Sequence, residues 1–187
     1  MAHDIKEYTE FLRGLGTDKV PHAGDGMFLA HLIGVYRDLE EWGCDEDICL
    51  GGMFHSIYGT ELFQKFSLPI ERRGEVQELI GKRAERLGYL NSAMDRDSFD
   101  ANLEGALRGD GARHLLDRFT GENIELDERE LEDLCRIHLC DWLEQLPRGR
   151  MWDYRRETYR RLAEHFGGIA REAYDRVFAE EDDGAST

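Results

Sequence analysis

Two histidines lie in apolar company in the first third of the chain. His31 falls in Phe28-Leu29-Ala30-His31-Leu32-Ile33-Gly34-Val35-Tyr36, and His55 in Leu50-Gly51-Gly52-Met53-Phe54-His55-Ser56-Ile57-Tyr58. An imidazole among such neighbours needs a hydrogen-bond partner or a metal ion. One outcome is a pair of core histidines bonded to backbone or carboxylate; the other is a pair of ligands for a divalent cation. His22 precedes the loop Ala23-Gly24-Asp25-Gly26 that leads into the His31 segment. There it is either a ligand or substrate contact over the same site, or an exposed loop histidine. Other chemistry has no sequence basis: the chain carries no Walker loop, no G-x-G-x-x-G, no G-x-S-x-G elbow and no H-E-x-x-H. Ser56 beside His55 is not a catalytic dyad, because adjacent helical residues point in different directions.

The elements that must position these groups read as helices almost throughout. Ile5 to about Gly14 has core-spaced Ile5, Tyr8, Phe11 and Leu12, with Asp4 as its cap. The His31 helix extends to Trp42 and stops at Gly43, and Asp45-Glu46-Asp47 opens a third helix through His55. Pro69 begins a fourth, Ile70 to about Leu90, on which Arg72 and Arg83 share a face. Its arginines are either turned inward to bind phosphate or carboxylate, as substrate-binding Arg72 and Arg73 would, or paired with glutamates on a solvated face. Ser98 to Leu107 is helical, Gly109-Asp110-Gly111 breaks it, and Asn123 to Leu126 is a short strand or an extended link. Asp127 caps a helix from Glu128 to Leu146 ended by Pro147; Trp152 to Phe166 and Ile169 to about Ala179 complete the set. The fold expected is an all-α, compact bundle of about seven helices, one domain over residues 1–180 with an acidic flexible tail over 181–187.

Several features match a known superfamily. The separation of His31 and His55 equals the gap between the first ligand histidine and the His-Asp pair of the HD metal-dependent phosphohydrolases, which the chain resembles. The match is degenerate, since Ser56 stands where the superfamily has Asp. Phe54-His55-Ser56-Ile57-Tyr58-Gly59-Thr60 is similar to the His-Asp-x-x-Glu-Asp-Thr segment of guanosine tetraphosphate hydrolases, and Asp141 with Gln145 at i+4 is similar to their later Asp and Asn. An uncharacterised bacterial family marked by Phe-His-Ser-x-Tyr-Gly-Thr is similar as well. The resemblance covers roughly Gly24 to Gln145 and implies an HD-like helical domain whose metal ligands are His31, His55 and Asp141. His138, one turn before Asp141, is a further ligand, a neighbour of one, or a core histidine. Serine is a poor ligand and cannot bridge two ions, so the implied centre is mononuclear, with Fe, Mn or Zn as the divalent metal. Ser56, Tyr58 and Glu61 are the candidate catalytic groups, and His22, Arg72, Arg73 and Gln145 the candidate substrate contacts.

Composition limits the partners. A formal net charge of −16 over 187 residues opposes nucleic acid and anionic membranes, which carry the same sign. No apolar run reaches the roughly 18 residues that span a bilayer, and Met1-Ala2-His3-Asp4-Ile5-Lys6-Glu7 is not a secretory signal. Cys44, Cys49, Cys135 and Cys140 lack C-x-x-C spacing and read as small buried residues in a reducing compartment. The expectation is a cytoplasmic protein, as monomer or homodimer, that acts on a small anionic molecule. It is a phosphohydrolase in the simplest case, an iron-dependent oxygenase (an oxidoreductase) in the second, and a metal-free binding protein with a lost active site in the third.

Overall fold

A computed structural model describes residues 5–109 and 113–184. Asp4, His3 and the end of the acidic tail, as well as part of the Gly109-Asp110-Gly111 break, lie outside them. The chain runs α1 (Ile5–Gly14), α2 (Phe28–Glu41), α3 (Glu46–Met53), α4 (Arg73–Ile80), α5 (Lys82–Ala93), α6 (Arg96–Arg108), β1 (His114–Leu116), β2 (Asn123–Glu125), α7 (Glu128–Gly149), α8 (Arg156–Phe166) and α9 (Gly168–Gly184). It is mostly helical. The Asn123–Glu125 segment is a strand after all, paired antiparallel with β1 so that Leu115 faces Ile124.

Several boundaries differ from expectation: α6 starts at Arg96 rather than Ser98, α8 at Arg156 rather than Trp152, and α9 runs on to Gly184. Three further differences have local reasons. The single helix expected over Ile70–Leu90 is broken at Gly81, whose φ of 87° and ψ of 155° divide α4 from α5. Arg72 and Arg83 therefore share no continuous face. α3 stops at Met53, so His55 lies in the turn that follows rather than within the helix. α7 carries Pro147 inside its last turn and ends only at Arg150, in the left-handed region. The ring can be accommodated near a helix end, where the next residues still close their bonds. α7 starts as its sequence dictates: Asp127 and Glu130 form a reciprocal capping box.

Packing brings α2, α3, α5 and α7 together around the two histidines. Gly51 and Gly52 allow close contact. A Cβ on Gly52 would fall 2.3 Å from Leu39 of α2, and one on Gly51 would fall 2.8 Å from Leu87 of α5. Tyr8, Phe28, Leu32, Met53 and Phe54 fill one core; Leu134, Leu139, Leu143, Leu162 and Tyr174 fill another between α7, α8 and α9. Cys49, Cys135 and Cys140 are buried free thiols and Cys44 is half-buried. Among the described residues no helix is long and apolar enough to cross a membrane.

Candidate metal centre

α2 presents His31 on its buried face, the turn after α3 presents His55, and α7 presents Asp141; all three side chains are buried. They meet at one point. His31 Nε2 lies 3.1 Å from Asp141 Oδ1, His55 Nε2 lies 3.3 Å from the same oxygen, and the two Nε2 atoms are 3.3 Å apart. No other group of three such side chains among the described residues could hold a metal ion.

The outer nitrogen of each ring is tied down. His55 Nδ1 donates to the Gly52 carbonyl at 2.7 Å, folding the ring back over the end of α3. Asn91 Nδ2 and Ser92 Oγ of α5 each donate to the His55 carbonyl at 3.0 Å, which fixes the turn from the other side. His31 Nδ1 donates to the Glu144 carboxylate, which Arg148 also holds at 2.7 Å. Each imidazole thus turns its outer nitrogen towards a fixed acceptor and its Nε2 towards the Asp141 carboxylate. Carboxylate or carbonyl partners of this kind orient metal-ligating histidines.

Three acceptor atoms this close repel unless positive charge lies between them. Protons supply part of it. Burial pushes the His31 imidazole down, but its hydrogen bonds to Asp141 and Glu144 outweigh burial and raise its pKa to about 9. Burial likewise opposes ionisation of Asp141, yet the two imidazoles hold its carboxyl well below the usual range. One divalent ion satisfies all three atoms at once. Donor atoms bound about 2.1 Å from one ion stand roughly 3 to 3.4 Å apart, the interval into which the three separations fall. The two-imidazole, one-carboxylate set suits Fe(II), Zn(II) or Mn(II).

Glu144 reaches His31 because Gly34, one turn along α2, has no side chain. A Cβ there would fall 2.5 Å from Glu144 Oε1 and 2.9 Å from its carboxyl carbon. Gly34→Ala should therefore turn Glu144 aside and weaken divalent-metal binding by roughly 10- to 100-fold, the usual cost of losing a histidine's outer partner. It should not destabilise the helix, where alanine is favoured over glycine by about 1 kcal/mol. Metal titration and a urea melt on one sample separate the two effects, and unchanged affinity would deny Glu144 this part.

The other expected site residues divide into two groups. His22, Ser56, Gln145 and Asp141 line one cavity of about 410 Å³ beside the triad. Gln145 Nε2 donates to Asp141 Oδ1 at 2.8 Å. His22 stacks on His31 with ring centroids 4.4 Å apart, and burial with the nearby His31 lowers its pKa to about 4. Its ring nevertheless lies outside the group of three.

The structure takes the remaining candidates elsewhere. Tyr58 donates to Glu85 Oε1 at 2.9 Å. Arg73 forms a two-pronged pair with the same carboxylate, at 2.7 and 3.0 Å, and stacks over the Tyr89 ring. Arg72 pairs with Glu75 at the surface. Glu61 is exposed and accepts the backbone N–H of Arg96 at the start of α6. His138 is buried, but its Nε2 accepts from Arg155 at 2.8 Å, and burial lowers its pKa to about 3. These groups have partners that compete with any role at the triad.

Sequence reasoning overlooked two residues that the structure brings in. Glu144 could have been found, since it lies one turn after Asp141 on the same helix face. Arg96, which lines the cavity, has no periodic or motif signal at all.

Residues 11–96 match a family described as a domain of unknown function, DUF6817. The match includes both histidines and Ser56, covers less than half of the chain and leaves Asp141 outside. No curated protein and no solved structure matches the chain.

Proposed function

We propose that this chain is a metal-dependent enzyme of the HD type, with a mononuclear centre held by His31, His55 and Asp141, that hydrolyses a phosphate ester of a small anionic molecule. The observation that carries this reading is the convergence of three lone-pair atoms within 3.3 Å while the far nitrogen of each imidazole is bonded to an acceptor. The order of the three residues and their origin on separate elements of a mostly helical domain support the HD resemblance. Bound there, a divalent ion supplies Lewis acidity and a water that ionises near neutral pH.

The chain's own residues do the rest. Glu144 and the Gly52 carbonyl hold the two imidazoles in the tautomer that leaves Nε2 free. Gln145 steadies the Asp141 carboxylate. Ser56, buried and on the cavity wall, offers a hydroxyl beside His55 that can orient water or substrate, an interaction worth about 1 kcal/mol. A second reading has its own support: two histidines and one carboxylate are also the donor set of iron-dependent oxygenases.

Metal analysis of protein purified without chelator, followed by assays of phosphate release and of dioxygen consumption, tests the proposal. Manganese or zinc with phosphate release is the expected result. Iron with dioxygen-dependent oxidation transfers the site to the second reading, and failure to take up any divalent ion overturns the metal centre and favours a metal-free binding protein. Ser56→Asp adds the carboxylate of the resembled motif and should tighten Mn(II) binding about tenfold or more. Equal binding by wild type and variant would remove Ser56 from the metal's surroundings.

A further inference from the structure

The cavity beside the triad has an unusual polar lining. Among the described residues, few buried side-chain nitrogens or oxygens lack a hydrogen-bond partner, and three of them belong to residues of this one cavity: His22 Nε2, Arg96 Nε and Trp142 Nε1. An indole N–H and a guanidinium N–H can only donate, and a neutral imidazole can donate from one of its two nitrogens. Buried donors without partners are costly and call for an acceptor. Arg96 has no ion pair with any carboxylate of the described residues, in contrast to Arg72 and Arg73, each with one, and Arg83, with three. Lys65 is the second cation on the lining and Asp141 its one carboxylate, in a chain of net charge −16.

Ser56, Thr60 and Gln145 add further polar groups, and much of the rest of the wall is apolar. Phe63, Leu146, Tyr159 and the Trp142 ring line the interior, and the Trp142 and Tyr159 rings are stacked within 7° of parallel. Leu62 and Met151 also line it, although they are 59% and 53% exposed. Large apolar side chains left open at the edge of a polar site mark a place where an apolar group is covered.

We infer that the cavity binds a phosphate monoester carried on an apolar, aromatic body, with Arg96 as the anion-binding residue. The phosphoryl oxygens meet the Arg96, Trp142 and His22 donors next to the triad, and the aromatic body lies against Phe63, Leu62 and Met151. The charge available, one arginine and one lysine, matches a single phosphate dianion rather than a polyphosphate chain. The inference rests on the metal-site reading for what happens to the ester, but not for how the ester is held.

Calorimetric titration of the full chain with phenyl phosphate, with and without saturating Mn(II), tests this. Phenyl phosphate should bind at least tenfold more tightly than inorganic phosphate, and Arg96→Met should weaken it at least tenfold while Mn(II) uptake and the thermal melt stay as in wild type. Binding that ignores the Arg96 substitution overturns the inference. Equal affinity for phenyl phosphate and inorganic phosphate overturns the apolar body, and equal affinity for benzoate overturns the choice of phosphate. Arg96-dependent binding in a protein that takes up no Mn(II) sustains the inference and sinks the metal-site reading; Mn(II) uptake with Arg96-independent binding does the reverse.

Discussion

Asp141→Asn should abolish divalent-metal binding while leaving a folded protein. Asp141 Oδ1 is the atom on which both imidazoles converge, at 3.1 and 3.3 Å, and it brings the negative charge that offsets a divalent ion. An amide keeps the shape and removes the charge, so affinity should fall by at least about 100-fold, more than the loss of an outer partner. The effect is readable as stability. A ligand at 100 times its dissociation constant stabilises the native state by about 2.7 kcal/mol, so Mn(II) should raise the melting temperature of wild type and leave Asp141→Asn where it was. The metal-free variant should remain folded, because Glu144 still holds His31 and the Gly52 carbonyl still holds His55. Parallel Mn(II) shifts in both proteins would show that the ion binds somewhere other than at the three converging atoms.

Glu85→Ala should be among the most destabilising single changes in the molecule, by about 3 to 5 kcal/mol. The Glu85 side chain is fully buried, with 0% of it exposed. It accepts from Tyr58 at 2.9 Å, from Arg73 at 2.7 and 3.0 Å, and from Gln77 at 2.8 Å. Removing the carboxylate leaves a guanidinium, a phenol and an amide without their shared acceptor. Such a loss is a large part of the roughly 5 to 15 kcal/mol that holds a domain folded. Urea denaturation should show a lower midpoint with a similar slope. The same arrangement ties Arg73 and Tyr58 to Glu85: Arg73→Met should lower stability without a selective effect on phenyl phosphate affinity. A stable Arg73→Met protein that no longer binds the ester would return Arg73 to the substrate site.

Much of this molecule was legible in its residues. The helical segments, the stop at Gly43 and the start at Asp127 follow from period and capping chemistry, which are local and act within a few residues. Asp141 was linked to His31 and His55 only through the resemblance to the HD superfamily, since no periodicity joins a residue of α7 to residues of α2 and the turn after α3; the structure brings the three side chains to one point. The break at Gly81 was not legible. A glycine within a charged periodic run is compatible with a continuous helix, and only packing of α4 and α5 against different neighbours settles its φ at 87°.

Partners were the part that sequence left open. Periodicity says which face of a helix is buried but not what lies opposite. Arg72, Arg73, Glu61, Tyr58 and His138 all had the right chemistry for the site. The tertiary structure gave Arg72 to Glu75, Arg73 and Tyr58 to Glu85, Glu61 to the start of α6, and His138 to Arg155. Glu144 meets His31 across 113 residues of chain only because α2 and α7 cross where Gly34 leaves room. Arg96 reaches the cavity because α6 begins at its edge. Local sequence fixes helices through short-range bonds and side-chain period; a site depends on contacts between elements far apart in the chain, and those are chosen by the packing of the whole domain.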